Sequence, residues 1–313
     1  MEFHDYSTTH DVAKRLGLTD KPADRFYHEM QALAIAAHRH GVPGTASEFN
    51  RYQSELNWYT IGRPYYKLWP AVIPLLAGVG IDVPVEYLRA PFASFLVRFP
   101  VHENPLRISD QHALKAVLVN DGLNDSGKRR IFLWLDVGEF DFAGMPVLTY
   151  CQLDCQPGMG IEEAFNRLPH QKVAGLVVPR ELQERCLRVV VSVCFLATGA
   201  DRLIDPEVLS KDLARYLDAR ERQPDAAERM VEKARRRGKL GWNVGQHERV
   251  LHLGRPEKHE AGDGEVRGSL HYQHQRRAHF RLLPTGKVTF VRQATVRPDL
   301  PAPERAAGYR VVT

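Results

Sequence analysis

The residues best able to do chemistry lie near the C-terminus, between Ser269 and Arg297. His279 stands between Arg277 and Arg281 at alternate positions, and alternate side chains on a strand share a face. An imidazole that exchanges protons near neutral pH would then sit beside two permanent cations able to hold a phosphate. A metal-independent ribonuclease needs such a set: a base at the 2′-hydroxyl, an acid at the leaving oxygen, and cations on the phosphate. His279 is the candidate catalytic residue. His271 lies about 27 Å away along an extended strand, so His247 or His252 would have to complete the pair. The same residues serve equally as a binding surface without catalysis. Arg276, Arg277, Arg281, Arg292 and Arg297 would meet phosphate or an acidic protein, with Tyr272 and Phe280 available for stacking. The bland reading is a solvated edge hairpin whose cations deter strand-on-strand association. His271 and His274 are three apart, which puts them on opposite faces of a strand and argues against shared zinc ligation.

A β-hairpin must position these groups. By parity His271, Gln273, Gln275, Arg277, His279 and Arg281 form a polar face, while Ala278, Phe280 and Leu282 give the other face an apolar half. Five residues containing Pro284 and Gly286 reverse the chain, a length typical of hairpin loops. On the return run Val288, Phe290, Ala294 and Val296 share one face, and Thr289, Gln293, Thr295 and Arg297 the other. One face is expected to be buried.

The rest of the chain sets the context. At 313 residues it exceeds the usual single-domain size, and 43% hydrophobic with 26% charged residues excludes bulk disorder. Residues 223–313 carry a net charge of +8 and six of the fourteen histidines, against −3 for the other 222 residues. A basic end on a mildly acidic body suggests an anionic partner, with nucleic acid the first candidate. Cys151, Cys155, Cys186 and Cys194 show no C-x-x-C spacing and read as reduced core thiols. No apolar run reaches the roughly 20 residues of a membrane span, so the expectation is a cytoplasmic protein with no membrane partner. No nucleotide-binding glycine loop, serine elbow or zinc-protease motif occurs, and no cofactor is expected.

Periodicity predicts helices over 22–40, with Phe26, Met30, Leu33 and Ala37 as the apolar stripe, and from Thr45 to about Gly62 behind a Thr45–Glu48 capping box. Arg63–Leu75 reads as a proline-kinked helix, rich enough in aromatics to resemble a ligand groove. Strands are expected at 92–99, 113–119, 130–137 and 147–153. Asp136, Glu139 and Asp141 cluster where the third of these ends, and such carboxylates either hold a cation or form a solvated loop. A short helix at 160–168 precedes a buried one at 179–197, and Asp205-Pro206 is expected to open another. Residues 226–237 read as a last helix. The fold class is therefore α+β: a helical N-terminal part, a mainly antiparallel sheet packed on a buried helix, and a basic C-terminal hairpin. The expected organisation is a mixed core domain at 1–217, a linker at 218–225 and a basic module at 226–313.

The hairpin also carries a resemblance. Arg276-Arg277-Ala278-His279-Phe280, followed by Phe290-Val291-Arg292 and Val296, resembles the C-terminal end of a phage and mobile-element family that includes a type V-A anti-CRISPR inhibitor. There the pattern is nearer Arg-Arg-Gly-His-Trp, so Ala278 and Phe280 depart from it, and the match covers about 30 residues. The resemblance implies a regulator that lowers production of an effector nuclease, engaging its nascent N-terminal segment and leading to loss of its message. It implies RNA or a nascent polypeptide as partner, a CRISPR effector or its message as target, and a bacterial cytoplasm as the setting. The metal-independent ribonuclease is the alternative. A phage structural protein is a further one, disfavoured by the absence of repeats.

Overall fold

A computed structural model describes residues 1–107, 113–123, 127–140, 146–167, 172–173, 176–177, 179–198, 203–206, 225, 229, 240–246, 274–276, 278–291 and 294–296. The helices are α1 (Thr9–Arg15), α2 (Ala23–Arg39), α3 (Thr45–Thr60), α4 (Ile73–Ala77), α5 (Ile161–Asn166) and α6 (Arg180–Thr198). The strands begin with β1 (Tyr65–Leu68), β2 (Gly80–Asp82), β3 (Ser94–Arg98), β4 (Ala116–Leu123), β5 (Arg129–Phe140) and β6 (Pro146–Asp154). They continue with the two-residue pair β7 (Lys172–Val173) and β8 (Leu176–Val177), then β9 (Ile204–Pro206), β10 (Gly241–Val244), β11 (His274–Arg276), β12 (His279–Leu282), β13 (Val288–Val291) and β14 (Ala294–Val296).

Seven strands form the main sheet in the order β6-β5-β4-β3-β1-β10-β9. Its pairings are antiparallel except β3 with β1 and β1 with β10. The sheet is therefore mixed but mainly antiparallel, as the α+β reading expects. The strands β3, β4 and β5 are covered on both faces for most of their length, so they carry apolar residues at odd and even positions alike. Phe95, Val97, Val117, Val119, Ile131, Leu133 and Leu135 point into the large core, which α4 and α6 close from the same side. The alternate residues Leu96, Ala116, Leu118 and Trp134 point to the other face, where Tyr6 and Trp58 meet them. The expected buried helix is α6, from Leu182 to Leu196. Its Cys186 and Cys194, with Cys151 and Cys155, are buried and free. Burial pushes the Cys151 thiol up to about 12 and Cys155 to about 11, so these are poor nucleophiles near neutral pH.

Several local expectations fail for identifiable reasons. Arg63–Leu75 is not a kinked helix: Tyr65–Leu68 is a strand inside the main sheet, and only Pro70 onward is helical. Leu68 and Val72 are fully buried in both readings, so spacing alone could not separate them. In α2 the buried stripe is Phe26, Tyr27, Gln31 and Ala34, and Leu33 is 62% exposed. Pro22 occupies the α2 N-cap, and Gly44 occupies that of α3, so Thr45 and Glu48 make no capping box. The capping box that does form is at α1, between Thr8 and Asp11. Asp205-Pro206 lies in β9, and the helix expected to follow it lies outside the described residues. The segment 218–225, apart from Asp225, and the helix expected at 226–237, apart from Arg229, lie outside the described residues. Within the C-terminal segment, β10 is hydrogen-bonded between β1 and β9 of the main sheet.

The inner face of α3 is polar and holds the N-terminal layer. Glu55 has no exposed surface. It accepts hydrogen bonds from the Tyr6 hydroxyl at 3.0 Å, the Tyr27 hydroxyl at 2.9 Å and the Thr9 backbone N–H at 3.0 Å. The Arg51 guanidinium lies 3.6 Å from it and donates to Thr9 Oγ1 at 3.0 Å. Burial first, and then the Glu55 charge, holds both phenols well above their ordinary range, so they remain donors. Replacing Glu55 by Ala leaves the buried Arg51 with only the half-exposed Glu48 carboxylate, 3.8 Å away, and strips the three donors of their acceptor. We expect a loss of about 3–5 kcal/mol, measured as a lower urea midpoint with unchanged slope.

Asp11 supplies a second prediction. Burial acts to raise its pKa, but hydrogen bonds from Thr8 and the Arg63 guanidinium override this, and the carboxyl is held below its ordinary value. Its stabilisation is therefore present above the unfolded-state pKa, about 3.9, and is lost as pH falls through the lower folded value. Asp11→Asn should make stability less sensitive to acid in that range, read by thermal melts across pH.

Candidate functional site

The C-terminal hairpin forms, and the core anchors it. Leu282 pairs with Val288 and His279 with Val291. Arg276 pairs with Ala294, three positions further along each strand, so β11 and β14 continue the same register without an inserted residue. The loop closes with the Leu283 N–H donating to Lys287 O at 2.8 Å and the Gly286 N–H to Leu283 O at 2.9 Å. Gly286 sits there at φ +76, which favours glycine.

The hairpin is not an edge ribbon on the β12 side. There β12 pairs in parallel with β2, aligning His279 with Gly80 and Arg281 with Asp82. The next edge is closed by a side chain: the Ile81 N–H donates to Glu162 Oε1 at 2.9 Å. Arg188 of α6 holds that carboxylate with two 2.5 Å contacts and donates to Val79 O at 2.9 Å. A single ion pair thus ties α5 and α6 to the strand on which the hairpin docks.

Strand parity divides the expected site residues. Ala278 and Phe280 face inward, and Phe280 is 1% exposed, with its ring 5.3 Å from Phe195 and 5.0 Å from Phe290. The expectation that Phe280 stacks on a base is corrected here: its ring is a core plug, because it is the one aromatic on the apolar side of β12. His279 is half-buried and Arg281 exposed on the outward side, with Thr289 and Val291 beside them on β13 and Asp82 on β2. Arg276 lies on β11 opposite Ala294. Arg277, Arg292 and Arg297 lie outside the described residues, as do Tyr272, His271, His247 and His252. The structure therefore brings His279 and Arg281 onto one face. Of the carboxylate cluster, Asp136 is buried within β5 and Asp141 lies outside the described residues.

A second constellation went unread in the sequence. Once 65–68 is a strand, Tyr65, Lys67 and Trp69 alternate ring and cation along one side of it, and Arg63 precedes the strand at φ +55. The Arg63 guanidinium lies 4.9 Å from the Tyr59 ring centre and 5.7 Å from that of Trp58. The Lys67 ammonium lies 5.3 Å from Phe3 and 5.7 Å from Tyr65, and Arg98 lies 5.6 Å from Tyr65. The Tyr65 ring crosses Gly241 so closely that a Cβ there would fall 2.3 Å from it. The signal is present as period-two alternation but is masked by Pro64, which suits a helix start, and by Pro70 and Pro74, which suggest a kinked helix.

No family model matches the chain, and neither does any curated protein. Among solved structures, the crystal structure of AcrVA2 is similar at 12% sequence identity with a TM-score of 0.49. The match covers 92% of this chain and 97% of that one. A likeness this loose carries no residue's role across.

The parity of β12 makes a paired prediction. Phe280→Ala should cost about 3–5 kcal/mol, as a cavity opened against Phe195 and Phe290. Arg281→Ala should stay within about 0.5 kcal/mol. Chemical denaturation of both variants checks the assignment, which fails if the two costs are equal.

Proposed function

We propose that this protein is a regulator of the anti-defence type, of phage or mobile-element character, that binds RNA or a nascent polypeptide and so lowers production of a target protein. The observation that carries the proposal is the division of the hairpin. Its inner face is committed to the core, while His279 and Arg281 are held outward on a rigid three-stranded platform. Two of its three strands, β12 and β13, belong to the part of the chain carrying the +8 excess. The type V-A anti-CRISPR resemblance of the Arg-Arg-x-His pattern supplies the setting: a CRISPR effector or its message as target, in the bacterial cytoplasm. No helix among the described residues is long and apolar enough to cross a membrane.

In this reading Arg276, Arg277, Arg281, Arg292 and Arg297 supply charge to a phosphate backbone or an acidic peptide. His279 adds a hydrogen-bonding group between them. Binding to RNA through these cations should weaken steeply with salt, each phosphate contact contributing about −0.7 to the log–log slope on a single strand.

Pull-down of the intact protein from bacterial cells, with both bound RNA and bound polypeptide identified, tests the proposal. The double variant Arg277→Ala/Arg281→Ala should retain its fold and lose the captured partner. Capture unchanged by that variant overturns the reading. RNA cleavage in EDTA that His279→Ala abolishes would replace it with the ribonuclease.

A further inference from the structure

We infer that the side of the main sheet formed by β1 and β3 is a second binding surface, which takes single-stranded RNA by stacking bases on Phe3, Tyr65 and Trp69 and holding phosphate with Lys67. The choice of RNA over DNA rests on the proposed regulatory role; the geometry itself would serve either polymer.

The placement follows from register. Lys67 lies directly across from Arg98 on β3 and from Asn243 on β10, so the two cations are neighbours in the sheet. Tyr65 stands two positions before Lys67 on the same side, and the Phe3 and Trp69 rings meet edge to face at 6.1 Å. Trp69 is oriented by its indole N–H, which donates to Asn243 Oδ1 at 3.3 Å. Tyr65, Lys67, Trp69 and Phe3 are partly exposed, while Arg98 holds the N-terminal segment in place by donating to His4 O at 2.7 Å and to Asp5. Rings and cations therefore alternate along about 7 Å steps of strand, the arrangement used by sequence-tolerant single-strand surfaces.

The electrostatics point the same way without being uniform. His4, just beside this surface, is held below its ordinary pKa by burial first, and then by Lys115, Arg98 and His102. That records a local positive field. Against it, Glu2 acts on His4 in the opposite sense and Asp5 is ion-paired with Arg98, while Asp205 of β9 lies opposite Asn243. Charge alone would give only a weak anion site, so the rings must supply part of the affinity. At present the Lys67 ammonium lies over Phe3 and Tyr65. An exposed cation–π contact is weaker than a stacked base. An incoming base can thus displace the ammonium from the ring, and the ammonium is then placed to meet the adjoining phosphate.

The test uses the full chain and a short fluorescein-labelled oligouridylate, followed by anisotropy and by ultraviolet cross-linking with mapping of the adducts. We expect adducts on Phe3, Tyr65 or Trp69. Affinity should fall roughly ten-fold in Tyr65→Leu, as one base loses its platform. Lys67→Gln should lower the salt slope by about one phosphate contact. Phe3→Ala, at the periphery of the fold, should also weaken binding, which protects the test if Tyr65→Leu unfolds. The same sequence annealed into a duplex should bind far more weakly, because its bases offer no free faces. Equal binding of duplex and single strand, or affinity unchanged in all three variants, overturns the inference. Adducts confined to the hairpin overturn it while leaving the proposed function standing.

Discussion

A carboxylate with no exposed surface organises the N-terminal half of this protein. Glu55 needs three donors and a counter-charge to remain ionised inside the fold. It draws them from separate places: Tyr6 from the N-terminal segment, Thr9 from α1, Tyr27 from α2 and Arg51 from its own helix. Satisfying one group therefore fixes the mutual positions of three helices. The polar docking continues onto the sheet. Trp134 Nε1 donates to Ser54 Oγ at 3.1 Å, Ser94 Oγ donates to Ser54 O at 3.1 Å, and Asn57 donates to Asn120 at 3.0 Å. An α3 with an apolar inner face would slide more freely over Leu96, Ala116 and Leu118. Its directional contacts leave one seating.

On the opposite face the constraint is apolar. The residues of α6 that enter the core form a broad buried surface from Leu182 to Leu196, and Phe195 is where the hairpin meets it. Once Phe280 is seated there, period two leaves His279 and Arg281 outward with no further choice. The Glu162–Arg188 pair supplies what packing cannot, because it satisfies the Ile81 N–H on the side of β2 away from the hairpin. Without that acceptor the small sheet would expose an unpaired edge. The outward face therefore depends on groups two layers beneath it.

Both proposed surfaces are presented by strands rather than by loops. That gives them fixed spacing, since each side chain's direction is set by the ladder beneath it, and it suits the repeating geometry of a polymer. It also ties function to fold. Tyr65 contacts Gly241 from the C-terminal segment, and β10 is inserted beside β1, so the β1–β3 surface is completed by a strand contributed from far along the chain.

Much of this was legible in the residues. The hairpin, described over 274–276, 278–291 and 294–296, with its turn and its inward Phe280 side, followed from alternation and from Pro284 and Gly286. The long buried helix, the antiparallel strands at its side and the four core thiols followed from apolar patterning. Two things could not be read. The polar face of α3 looks solvent-directed, because Arg51, Ser54 and Glu55 are surface residues in most helices, and only tertiary contacts supply partners that make their burial tolerable. The strand at Tyr65–Leu68 carries an apolar spacing compatible with either helix or sheet, and its extended form is decided by β3 and β10 on its two sides. Local sequence determined which side chains share a face. Which faces are buried, and which residues therefore meet a partner, was decided by hydrogen-bonding and packing neighbours distant in the chain.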